Sequence, residues 1–60
     1  MFQNFINQSV VLQVALNGSK VSLCGTLLRD EPDAVVLRIG GDLDVAVYKA
    51  AVLAVEETSV

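Results

Sequence analysis

The 60-residue sequence contains no histidine and no tryptophan, a single cysteine, a single proline, and only Phe2, Phe5 and Tyr48 as aromatics. Without histidine there is no side chain whose ordinary pKa suits general base catalysis near neutrality, and no Cys/His set for zinc. Cys24 has no partner for an internal disulfide. Positive charge is also scarce, because four Lys/Arg stand against seven Asp/Glu for a net charge of −3. Such a balance is the reverse of a basic nucleic-acid binder, so any phosphate contact has to be local. The opening stretch MFQNFINQSVVLQ carries no basic flank and is interrupted by Gln and Asn, so neither a signal peptide nor a membrane span is expected. A cytoplasmic, reducing setting follows as the expectation, and there Cys24 reads as a small core hydrophobe instead of a reactive thiol.

Apolar residues are plentiful: 53% of the chain is hydrophobic. Residues 1–60 make one domain at most, and a core of that size is marginal without disulfides, metal or partner chains. With the first two staples excluded, burial of subunit interfaces is the remaining route to stability.

Phe2, Phe5 and Ile6 stand at i, i+3 and i+4, which predicts a short helix over Phe2 to Gln8, a lid too short to stand alone. From Ser9 to Leu16 the period changes to two, with Val10, Leu12, Val14 and Leu16 on one face of a strand. Asn17-Gly18 then supplies the positive φ angles of a tight hairpin turn. The chain returns as a strand over Lys20 to Leu28, in which Gly25 marks a bend or a close backbone approach. Arg29 to Asp33, with Pro32 inside it, reads as a polar, solvated breaker. A second hairpin follows, formed by Ala34 to Ile39, the turn Gly40-Gly41-Asp42, and Leu43 to Tyr48. After a change of direction near Lys49-Ala50 comes a last strand, Ala51 to Val55, with no charge, proline or bulge to guard its edge. The expected fold is all-β: a small, bent, five-stranded barrel with a short N-terminal helix. An unguarded edge can pair with the next subunit, and repeated head-to-tail pairing closes a ring when the rotation allows.

In their order and spacing, several of these pieces resemble the Sm/LSm family, and above all its bacterial Hfq-like branch. They are the N-terminal helix, Leu16-Asn17-Gly18, Gly25-x-Leu27, the acidic turn at Asp30-Glu31, and Val47-Tyr48-Lys49-Ala50 before the last strand. The resemblance covers nearly the whole chain. It implies an SH3-like barrel assembled as a homo-oligomeric ring, the fourth strand of one subunit pairing with the fifth of the next. It also implies single-stranded RNA, with DNA as an alternative, held at the inner rim by stacking and by a basic residue from each subunit. Tyr48 and Lys49 match that motif position for position and are the nucleic-acid-binding residues it implies. Ala50 stands where the Hfq-like branch carries His, Asp33 where it carries a base-stacking Phe, and Val14 where it presents an aromatic on the opposite face. Phe5-Ile6-Asn7-Gln8 replaces the arginines after its helix.

Read from the residues, Tyr48 is either a base platform, contributing about 1–3 kcal/mol per stacked base, or an aromatic packed at a strand end. Lys49 gains weight only through a ring, which multiplies it into a circle of like charges, about five to seven on the ring sizes that the resemblance implies. Lys20, Arg29 and Arg38 are scattered and read as solvated. Asp30, Glu31 and Asp33 match no cation-binding loop and are split by Pro32, so no metal is expected. No activated serine and no glycine-rich phosphate loop is present, which argues against an enzyme and against a cofactor. Two functions follow: a ring that binds single-stranded RNA at its pore, or an acidic structural or adaptor ring that contacts other proteins and ignores nucleic acid.

Overall fold

The structure, a computed structural model, describes residues 2–58. Five antiparallel strands form one sheet in the order β4-β3-β2-β1-β5. The strands are β1 (Ser9–Leu16), β2 (Ser19–Asp30), β3 (Ala34–Ile39), β4 (Leu43–Tyr48) and β5 (Val52–Glu57). Among the described residues, no helix is long and apolar enough to cross a membrane.

The period-two pattern of β1 becomes burial directly. Val10, Leu12 and Val14 are fully or almost fully enclosed, and they meet Leu27, Val35, Leu37 and Val47 in one core. Each such side chain contributes about 1.5–3 kcal/mol by leaving water. Leu16, the fourth residue of the same face, is 49% exposed because it lies at the turn end of the hairpin, beyond the last β1–β5 pair, Val14 with Val52. Asn17 (φ 50°) and Gly18 (φ 78°) form the two-residue loop between paired Leu16 and Ser19. Positive φ at both positions suits the strand twist, and Asn and Gly tolerate it best. In β3 the run Ala34 to Leu37 is buried on both faces, as a continuous apolar stretch suggests.

Gly25 is the close approach anticipated in β2. A Cβ there would lie 2.3 Å from the carbonyl oxygen of Arg38 and 3.0 Å from Leu37 Cγ. Two residues on, the β2–β3 register shifts between Leu27 and Arg29, and this bulge bends the strand further.

Some expected boundaries move. The N-terminal helix is a single 3-10 turn, Phe2–Phe5. It stops because Asn7 takes φ 66°, with its N–H donating to the Leu27 carbonyl at 2.6 Å while Leu27 N–H donates to the Gln8 carbonyl at 3.0 Å. Those bonds fasten the lid to β2, and Phe2 enters the core. β2 runs on through Arg29 and Asp30, since the bulge absorbs one residue and pairing with Val35 and Val36 resumes beyond it. The corner after β4 is a 3-10 turn, Lys49–Ala51, so β5 begins at Val52 and continues through Glu56 and Glu57, opposite Val11 and Val10. Cys24 corrects the core reading: it is exposed. It alternates with Leu23 and Gly25 and therefore points away from the core, beside Val11 across the ladder.

Candidate functional site

The sheet is open, and its two outer strands carry the residues of interest. β4 and β5 each pair on one side only among the described residues, β4 with β3 and β5 with β1. Both are six residues long. Each also exposes a large apolar side chain, Leu43 at 58% and Leu53 at 57%. Leu53 owes its exposure to a bulge. The β1–β5 register passes from Gln13 opposite Ala54 to Val14 opposite Val52, leaving Leu53 without a partner residue. An edge-strand bulge both interrupts the ladder and re-aims a side chain.

The 3-10 corner between β4 and β5 holds Tyr48 and Lys49. Tyr48 ends β4 opposite Ala34. Its backbone is extended (φ −64°, ψ 132°) and the residue is 72% exposed. Beside it lies an apolar cleft of about 190 Å³, whose walls include Val14, Leu23, Val45, Val47 and Ala51. A void of similar size lined by aliphatic side chains accommodates an aromatic ring, so the cleft has room for a planar or branched apolar group.

Lys49 leaves the same corner toward other neighbours. Its Nζ lies 2.5 Å from Asp30 Oδ1, with side-chain exposures of 29% and 14% for the two residues. The Nζ also stands 5.5 Å from the centroid of the Phe2 ring, a distance at which a cation is attracted to the π face. Lys49 N–H donates to the Asp33 carbonyl at 2.9 Å, which pins the corner to the β2–β3 turn. Asp30 Oδ1 is shut off from solvent and has no hydrogen bond. Its contact with Lys49 is therefore coulombic in character, and Lys49 is the cation that compensates it. The two residues implied by the resemblance are adjacent in the chain, yet their side chains are not brought together.

Sequence reasoning assigned Asp30 to a solvated turn and missed this role. The signal was in the register. Two hairpins sharing β3 place Asp30 opposite Val35 and Tyr48 opposite Ala34, so the end of β2 and the end of β4 flank the start of β3 from either side.

Two further cations are also matched by carboxylates. Arg38 faces Asp44 across the β3–β4 ladder and donates from Nε to Oδ1 at 2.7 Å and from a terminal nitrogen to Oδ2 at 3.1 Å. These hydrogen bonds hold the Asp44 carboxyl below its usual pKa and push the Arg38 guanidinium up. Arg29 lies 3.6 Å from Glu31, both well exposed. Among the described residues, Lys20 has no ion pair within contact distance. Among the described residues Asp33, Asp42, Glu56 and Glu57 make no ion pair either, so negative charge prevails on the surface. No family model, no curated protein and no solved structure matches this chain.

Proposed function

We propose that this chain is a subunit of an Sm-like homo-oligomeric ring of about five to seven copies, whose rim holds single-stranded RNA through Tyr48 and Lys49. The observation that carries the RNA reading is Tyr48, 72% exposed beside an apolar cleft and directly preceding Lys49. A base stacked on the ring would meet a cleft lined by aliphatic side chains, which favours binding tolerant of sequence. The ring rests on the two edges of one open sheet. A β4 edge of six residues and a β5 edge of six residues can pair head to tail, as successive subunits of a barrel-lined ring would. Leu43 and Leu53, exposed here, would be covered by that pairing.

Light-scattering mass tests the assembly. A mass of about five to seven chains is expected, and Leu53→Asp should lower it, because a charge in a β-edge seam is left without a partner. A folded monomer at micromolar concentration would remove the ring. Anisotropy with labelled oligo-U and oligo-A then tests the ligand. Affinity should fall as salt rises, and Tyr48→Ala should weaken it by about 1–3 kcal/mol per stacked base. Absence of binding at low salt would remove the RNA reading.

One observation favours the second reading, an acidic adaptor ring. Three of the four Lys/Arg are already matched by carboxylates of the same chain, and the surplus of negative charge grows with every subunit. On that reading a pull-down recovers proteins, and nuclease treatment leaves the recovery unchanged.

A further inference from the structure

We infer that Asp30 sets the affinity of the rim by masking Lys49. This inference rests on the RNA-binding reading, and it names a residue that tunes the site without touching the ligand. Lys49 contributes to phosphate binding only as far as its charge is free, and here that charge lies 2.5 Å from Asp30 Oδ1. The carboxylate oxygen is buried and without a hydrogen bond. That oxygen has no solvent to fall back on, so releasing Lys49 leaves a carboxylate only 14% exposed without its counter-charge. On its other side the ammonium rests near the Phe2 ring, a neighbour that favours the cation where it already sits. Phe2, Asp30 and Lys49 come from the N-terminal turn, the end of β2 and the corner before β5. A strand of RNA approaching the corner therefore meets a nearly neutral pair backed by an aromatic, and stacking on Tyr48 has to supply most of the affinity.

The test compares Asp30→Asn with Asp33→Asn in oligo-U binding by anisotropy. Both changes remove one negative charge. Only Asp30 holds Lys49 by its side chain, whereas Asp33 accepts from the Lys49 backbone through its own carbonyl. Asp30→Asn should raise affinity about three- to tenfold at low salt, and should steepen the salt slope by about 0.7 for each lysine the strand engages. Asp33→Asn should change affinity by less than twofold. An equal gain in both variants, or none in Asp30→Asn, overturns the inference.

A second measurement needs no variant. Amine acylation of the wild-type chain, followed by mass spectrometry, should modify Lys49 more slowly than Lys20; equal rates overturn the masking even if Asp30→Asn fails to fold. If Lys49 is slow but neither wild type nor Asp30→Asn binds oligo-U, the RNA reading has failed and the tuning role falls with it, while the ion pair itself stands.

Discussion

Two ion pairs in this small sheet look alike on paper and differ in kind. Arg38 and Asp44 face each other across β3 and β4, joined by two hydrogen bonds, and both side chains are about two-fifths exposed or more. Lys49 and Asp30 join a corner turn to the end of a strand, make no hydrogen bond, and are much better shielded. The first pair has the better geometry and the second the greater shielding from solvent. In water an ion pair competes with hydration and ionic screening, so good geometry adds little. Where water is largely excluded, as on the Asp30 side of the second pair, each charge depends more on the other because part of the desolvation has already been incurred.

The largest effect expected from this contrast is that of removing Lys49 alone. Lys49→Met leaves the Asp30 carboxylate, only 14% exposed and with Oδ1 shut off from solvent, without its cation, and should lower stability by about 1–3 kcal/mol in urea unfolding. If the loss is no greater than that of Arg38→Met, the distinction between the two pairs is broken. Next in size is recovery in the double variant Lys49→Met with Asp30→Leu. Replacing both partners removes the stranded charge, so most of the lost stability should return and a double-mutant cycle should give a coupling of about 1 kcal/mol or more. Additive losses would show that the two side chains act separately.

The exposed pair should respond more to conditions than to mutation. Added salt should reduce the difference between wild type and Asp44→Asn, while leaving the Lys49→Met loss nearly unchanged. The smallest effect is on pH dependence. Hydrogen bonds from Arg38 lower the Asp44 pKa in the folded state. Its contribution to stability is therefore fully present above the unfolded carboxylate value and is lost as pH falls through the lower folded value. Acid unfolding followed by circular dichroism should show a slightly flatter decline in Asp44→Asn. An identical profile would mean that the pair is not formed in solution.

Much of the fold was legible because strands announce themselves locally. The alternation of Val10, Leu12 and Val14, the Asn17-Gly18 turn, the run from Ala34 to Leu37 and the loop at Gly40 to Asp42 each carry a short-range signal, and the observed elements follow it. The bulges were not legible. Whether Leu28 or Leu53 is the extra residue depends on the partner strand, and no periodicity within one strand reveals that. Cys24 shows a related failure, since its small apolar side chain suggests a core while its place in the alternation puts it outside. In the candidate site, Tyr48 and Lys49 were legible as residues worth watching. Their separate surroundings were not, because an apolar cleft and a carboxylate contributed by distant segments exist only once the sheet has formed.

By itself, the sequence determined the number and order of the strands, the turns between them, the surplus of negative charge and the absence of catalytic imidazole, all of which follow from residue type and near-neighbour spacing. Tertiary structure alone decided which charges meet. Asp30 and Lys49 are nineteen positions apart, and only the register of β3 with its two neighbours carries them into contact. Coulomb attraction depends on distance and shielding in space, and neither is a property of the chain before it folds.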